Sequence, residues 1–307
     1  NMTSEIEFNN IKKILENKIF FEKKDNIYID KRADDYAKNF GIQWNKFPLT
    51  QLDSCTGFPL SKNRLLKSSK WNMSEIKNKL IIELGSGAGR FTEILLSAGC
   101  YVISVEMSDA IYVNSSNNKS DKIIFVKSSL YNLEFFQNLF DYVLCYGVAQ
   151  HTPNLFKTYK SCLSFGKKKG KISIDHYIKL PYPTTKSIWR PITKSINPNV
   201  LFKIIKFYIP YYFPFDTLIK RKLPPIISKI IRPFFPIPCF NYTDEKDIPQ
   251  NKEKLVEWAI MDTFDALGAK FDKPLNKHEL ENIAKEVGLN TFEVIKSGQV
   301  FVLNGVK

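Results

Sequence analysis

No Cys-x-x-Cys pair occurs in this sequence of 307 residues, and its five cysteines (Cys55, Cys100, Cys145, Cys162, Cys239) stand far apart. That spacing argues against a disulfide framework or a structural zinc site, so reduced thiols, no bound metal and a cytoplasmic setting are expected. Long apolar runs are missing too: no stretch of roughly 18 uncharged apolar residues could span a bilayer as a simple helix. The first residues are polar and charged, with no apolar segment of secretory type, and no signal is expected there. Acids are scarce, 31 against 45 Lys and Arg, which gives a net charge of +14. Such a balance favours anionic partners (nucleic acid, anionic lipid, phosphorylated substrates) without choosing among them. Histidine is scarcer still, with three in the chain.

What is present is an ordinary folded composition, 44% apolar and 25% charged. Residues 1–75 are polar and read as a helical N-terminal extension or lid. From residue 79 onward the pattern alternates. "KLIIEL" (79–84), "YVISVE" (101–106), "DKIIFV" (121–126), "FDYVLCYG" (140–147) and "GKISIDHY" (170–177) read as strands. "RFTEILLSAG" (90–99) and "PNLFKTYKSCLSF" (153–165) have helical periodicity. Strands alternating with helices predict an α/β fold with a parallel sheet covered on both faces. Two β runs around Ser297-Gly298, in "TFEVIKSGQVFVLNG", predict a terminal antiparallel hairpin. The expected organisation is an extension over 1–75 and a main domain over 76–307, with a proline-rich cap inserted at 178–250.

The sharpest local signal is "IIELGSGAGRF" (81–91), where Gly85, Gly87 and Gly89 fall between a strand and a helix. A helix N-terminus offers free N–H groups and a positive dipole end, suited to a carboxylate or phosphate. The phosphate-loop pattern needs a Lys-Ser or Lys-Thr that is absent here. The dinucleotide fingerprint needs glycine where Arg90 stands, which weakens that reading. Glu83, just ahead of the glycines, suits a ligand carrying an ammonium better than a pyrophosphate. Glu-x-Gly-x-Gly-x-Gly is the pattern associated with S-adenosylmethionine. Glu106, at the end of the second strand of this region, stands where nucleoside sites place an acid on the ribose hydroxyls.

"ELGSGAGRFT", "VISVEMSDA" and "FDYVLCYGVAQHTPN" together resemble the class I S-adenosylmethionine-dependent methyltransferases, over about residues 78–177. The resemblance implies a Rossmann-like seven-stranded sheet ending in an antiparallel hairpin, and a methyltransferase that leaves S-adenosylhomocysteine. It implies cofactor contacts from Glu83, Gly85, Ser86, Gly87, Gly89 and Arg90 at the methionine end. Glu106 would hold the ribose and Met107 the adenine, with Tyr146, Gly147 and Gln150 closing the site. Many relatives carry an acid after the third strand; Ser128-Ser129 stands here, leaving Ser129 as the adenine partner. "QWNKFPLTQLDS", "WRPITKSINP", "AIMDTFDAL" and "KFDKPLNKHELENIAKEVGL" resemble a narrower bacterial group associated with glycan or small-molecule biosynthesis. Relatives of that group often have a zinc ribbon ahead of the core, and residues 1–35 look like a remnant of it without cysteines.

In open α/β sheets the reacting groups gather outside the carboxyl ends of the strands. Tyr146, Gln150 and His151 follow the fourth strand, and Asp175, His176 and Tyr177 end the fifth. His176 is the preferred base, with His151 and Tyr177 as the other catalytic candidates. His151 reads equally as a loop-positioning residue. Asp262 and Asp265 read as substrate contacts or as capping and solvated groups, and Gln43, Trp44 and Gln51 as parts of a lid. Residues 196–240 hold half of the 16 prolines, seven Lys or Arg and one acid, Asp216, among many aromatics. The prolines predict short helices at most. This zone reads as an apolar cap, a peripheral membrane surface or a nucleic-acid patch. The expected acceptor is an oxygen or nitrogen of a small-molecule, glycan or lipid-linked substrate. The alternatives are an RNA methyltransferase and a catalytically silent cofactor-binding module.

Overall fold

Residues 2–32, 37–231 and 252–307 are described by a computed structural model. Cys239 and the end of the expected cap lie outside the described residues. The chain opens with helix α1 (Met2–Glu16) and a hairpin of β1 (Phe21–Lys24) and β2 (Ile27–Asp30). Four helices follow, α2 (Lys38–Lys46), α3 (Asp53–Thr56), α4 (Leu60–Ser69) and α5 (Met73–Ile76). The alternating region runs β3 (Leu80–Leu84), α6 (Arg90–Ser97), β4 (Tyr101–Glu106), α7 (Ala110–Asn117), β5 (Ile123–Lys127) and β6 (Phe140–Cys145). It closes with α8 (Leu155–Phe165) and β7 (Gly166–Tyr177). Three helices, α9 (Thr185–Thr193), α10 (Pro198–Lys222) and α11 (Pro225–Ile231), form the described part of the insertion. After it come α12 (Lys252–Gly268), α13 (Lys277–Glu286), β8 (Thr291–Ser297) and β9 (Val300–Val306).

One sheet takes all nine strands in the order β1-β2-β5-β4-β3-β6-β7-β9-β8. The strands from β2 to β7 run parallel; β1 at one edge, and β9 and β8 at the other, are antiparallel to their neighbours. All five residues of β3 are buried, as expected for a central strand covered on both faces. Leu80, Ile82 and Leu84 pack with Phe8, Ile11 and Leu15 of α1, together with α8 and α13. Ile81 faces the other way, against Leu65 of α4 and Phe91, Ile94 and Leu95 of α6. Because β3 lies between β4 and β6, the order reverses there, and a crevice opens outside the carboxyl ends of these strands.

Two expectations change. Residues 21–30 are strands rather than helix, and β2 lengthens the sheet by pairing with β5 at Ile27↔Phe125 through Ile29↔Lys127. The exposed Glu22, Lys23 and Lys24 of β1 leave a charged outer edge that resists further pairing. The second change is α10, which runs 25 residues through Pro210 and Pro214 where breaks were expected. Each proline removes one N–H and crowds the carbonyl four residues earlier. Both prolines, and Lys206 four residues before the first, lie on the exposed face, where water can satisfy the freed carbonyls. The opposite face buries Leu201, Phe202, Ile205 and Ile209 against Leu255, Ala259 and Phe264 of α12, and this packing holds the helix together.

Candidate active site

The turn from β3 into α6 is built to be tight. Gly85, Gly87 and Gly89 all have positive φ, at 72°, 53° and 92°. A Cβ on Gly85 would meet Val148 Cγ2 at 2.1 Å, and one on Gly87 would meet Trp44 Nε1 at 2.9 Å. The loop is thus pressed between the turn after β6 and helix α2. Helix α2 crosses the crevice: Gly41 packs against the Asp109 backbone, and Phe40 lies 5.1 Å from the His151 ring. Trp44 and Gln43 lie on this helix, and Gln51 accepts a hydrogen bond from Arg90 Nη1 at 2.7 Å.

Two acids frame the loop. Glu106 accepts from the Gly87 N–H at 3.1 Å and from both the backbone and hydroxyl of Ser108 at 2.8 Å. Glu83 is buried, with one oxygen accepting from Thr92 at 2.5 Å and the other without a partner. Burial pushes its carboxyl up to about 8, against the hydrogen bonds from Thr92. Ser129 caps the turn after β5 by accepting from Tyr131 N, and Met107 is half-buried beside Glu106.

Buried polar atoms rarely go unpaired. Among the described residues the unpartnered ones are Asn39 Nδ2, Gln43 Oε1, Glu83 Oε1, Ser86 Oγ, both amide atoms of Gln150, His151 Nε2 and Trp189 Nε1. All but Trp189 belong to α2, the end of β3 with the glycine turn, or the turn after β6, which meet over the crevice. A ligand rich in hydrogen-bonding groups fits that set, and the glycine turn leaves no Cβ in its way.

The two histidines separate cleanly. His176 is fully buried, with Nε2 at 2.7 Å from the Lys273 carbonyl and Nδ1 at 2.9 Å from the Tyr159 hydroxyl. The carbonyl can only accept, so Nε2 carries the proton and Nδ1 accepts from Tyr159. Burial drives the imidazole down to about 4. With both nitrogens used inside the protein, the expectation that His176 is the base is corrected: it is a structural tie between β7 and the segment after α12. His151 differs. Its Nδ1 faces the Phe271 carbonyl at 2.9 Å, which assigns the proton to Nδ1 and leaves Nε2 as a buried lone pair with no partner.

Tyr177 packs edge-on to His151 at 5.4 Å and donates to Asp265 at 3.2 Å; burial holds its hydroxyl protonated. Tyr146 instead points its hydroxyl at Ser173, 2.7 Å away, away from a catalytic position. The turn at Gly147 is pinned by its N–H to Asp175 at 2.5 Å, and a Cβ there would meet open space. Asp175 also pairs with Arg64 of α4 at 2.6 Å. Arg90 takes only neutral partners among the described residues, Ser61 and Gln51. Burial and the neighbouring Arg64 bring its guanidinium down to about 9. Across from these arginines, burial and Asp265 lift the Asp262 carboxyl to about 7. Arg64 and Asn39 carry no sequence signal, because nothing in the spacing of α2 and α4 marks a polar side chain as facing the crevice.

Residues 82–174 match the family model described as a methyltransferase domain. A curated relative, the ubiquinone biosynthesis O-methyltransferase of Coxiella burnetii (strain Dugway 5J108-111), is 24% identical over 100 residues, 32% of this chain and 43% of that protein. The chain thus spans less than half the length of the curated relatives it matches. Among solved structures, two are similar to this chain. A SAM dependent methyltransferase from Aquifex aeolicus has a TM-score of 0.46 and 10% identity, covering 87% of this chain and 97% of that one. Another, from Archaeoglobus fulgidus, has a TM-score of 0.44 and 13% identity, covering 81% and 93%. The parallel sheet with its reversal beside β3 and the glycine turn with its two acids fall on the same residues as the family match: residues 82–174 are similar to a methyltransferase domain.

Proposed function

We propose that this chain methylates an oxygen of a small acceptor, with His151 as the base. The observation that carries this reading is the His151 imidazole, whose Nδ1–H is held by a carbonyl while Nε2 stays buried and unpaired beside Tyr177. When bound, S-adenosylmethionine supplies an electrophilic methyl on a sulfonium. The chain's part is to hold both partners in line and take up the acceptor's proton. In this assignment Glu83 accepts the ligand ammonium, and Arg90 binds its carboxylate at the N-terminus of α6. Glu106 still has an acceptor site for ribose hydroxyls, Met107 lies against the adenine, and Ser129 offers its hydroxyl to the base. Ser86 and Gln150 gain the partners they lack. The acceptor hydroxyl donates to His151 Nε2, while Asp262, Asp265 and Arg64 form a polar wall. The curated relatives' printed name, an O-methyltransferase, supports oxygen as the accepting atom.

Incubating the chain with methyl-labelled cofactor and cell metabolite, lipid and RNA fractions tests the reading. Label is expected in an O-methyl product of the metabolite or lipid fraction. Label confined to RNA or to a nitrogen overturns it, as does cofactor binding with no transfer to any pool.

Glu83 gives a second expected result. At neutral pH the free carboxyl is mostly protonated, and an ammonium placed against it favours the carboxylate, so binding releases a proton. Calorimetry of S-adenosylhomocysteine in buffers of different ionisation heat should show this release below pH 8. Affinity should rise by up to about tenfold per pH unit there, and Glu83→Gln should flatten the dependence. The same raised carboxyl means that the ligand-free fold keeps this contribution fully below pH 4.5 and loses it as pH climbs through about 8.

A further inference from the structure

The least explained surface of the molecule is the outside of the cap. Helix α10 is apolar on two opposite faces. One is the buried row against α12; the other is exposed, with Ile204 at 44%, Phe207 at 74%, Tyr211 at 75% and Leu218 at 53% exposure. At 100° per residue these four fall within about 40–60° of one another, a continuous stripe along the helix. Phe207 and Tyr211 lie ring to ring at 5.6 Å. Helix α11 continues the apolar surface with Ile226 at 74% and Ile230 at 61%. Single exposed apolar residues need no explanation, but a stripe of this length does.

Charge identifies what covers it. Lys203, Lys206 and Lys222 are exposed on α10, with Lys203 and Lys206 along one flank of the stripe. Between residues 178 and 231 the single acid is Asp216, which is buried. A surface of aromatic and branched apolar side chains edged only by cations complements the boundary between lipid headgroups and acyl chains, where negative headgroups meet hydrocarbon. No helix among the described residues is long and apolar enough to cross a membrane, so α10 would lie in the plane of the surface. We propose that the outer face of α10 and α11 docks the protein peripherally onto a bilayer of anionic phospholipid. The inner face of α10 packs on α12, the helix that carries Asp262 and Asp265, so docking sets the polar wall of the crevice one helix layer from the lipid.

Docking needs no step of methyl transfer, and its test reads neither activity nor cofactor. The full chain is floated with vesicles of phosphatidylcholine alone, or with about one-third phosphatidylglycerol to supply negative surface potential. Binding is expected to the mixed vesicles, at least tenfold above the neutral ones, and to weaken as salt is raised. Phe207→Ser with Tyr211→Ser should abolish it, and Lys203→Gln with Lys206→Gln should weaken it about tenfold or more. Both pairs are exposed, and an unchanged melting temperature certifies the fold of each variant. Equal binding to both vesicle types, or no loss in the aromatic variant, overturns the proposal. So does failure to bind vesicles while the wild type, but not the aromatic variant, forms a dimer by light scattering, which would make this face a contact between copies.

Discussion

His151→Gln is expected to lower methyl transfer by about 10²- to 10⁴-fold, the range for loss of a positioned base. S-adenosylhomocysteine affinity should stay within about threefold of wild type, because the substitution touches the proton path rather than the charged anchors of the ligand. The two ring nitrogens of His151 divide the labour. The Phe271 carbonyl holds the Nδ1 proton, fixing the tautomer and the ring plane, so Nε2 keeps its lone pair toward the crevice. Glutamine can still hydrogen-bond but cannot take up a proton at neutral pH. His176→Gln supplies the contrast: it breaks the tie to Tyr159 and the Lys273 carbonyl, so it should lower the melting temperature and spare most of the methyl transfer. Equal turnover in His151→Gln and wild type would sink the assignment of the base.

Gly89→Ala is expected to cost on the order of 3 kcal/mol or more of stability, from left-handed backbone strain and broken buried hydrogen bonds together. Gly89 has φ of 92°, and its Cβ would fall 2.1 Å from Asn114 Oδ1 and 2.2 Å from Asn118 Nδ2. Those amides cannot simply step aside. Asn118 Nδ2 donates to Asn114 Oδ1 and to the Gly89 carbonyl, while Asn114 Nδ2 donates to Ser104 and Thr92. Thr92 in turn donates to Glu83. One methyl group would therefore disturb a chain that ends on the acid assigned to the ligand ammonium. Thermal melts should show a drop of several degrees, and calorimetry should show ligand affinity falling with it. Gly57→Ala is the comparison: φ is also positive, at 76°, but no atom lies within 4 Å of the added carbon. Its cost should be backbone strain alone, with ligand affinity kept.

The parts of the fold that were readable in sequence are those where one residue pattern admits one solution. "YVISVE" is strand β4 with its bounds as read, because a short apolar run between turn signals in an alternating chain has nowhere to go but the sheet. The glycine turn was legible for the same reason, since three glycines at alternate positions match few backbones. The hairpin at 21–30 was not. "FEKK" buries nothing fully, and its strand form comes from pairing with "IYID", whose own partner β5 lies about 100 residues away. Helix α10 escapes the sequence because the local cost of proline predicts a break, and that cost falls where the affected carbonyls face solvent and a buried apolar row holds the rest. The histidines could not be ranked by spacing, since both end up beside the strand termini. Only the count of hydrogen bonds at each ring nitrogen separates the unpartnered lone pair from the occupied one.

The pairing of β2 with β5 also imposes an order of events on the growing chain. Helix α1 and the first hairpin leave the ribosome long before residues 123–127, the strand they must join. At about 5–20 residues per second, the intervening sequence takes about 5–20 s to be made. For the first part of that wait Phe8, Ile11 and Leu15 have no sheet to cover, because Ile82 and Ile103 are themselves still to come. The opening segment is therefore a client for whatever shields apolar nascent chain, and slowing translation between residues 30 and 127 would prolong its exposure. Residues made early in this segment must wait for their place in the core.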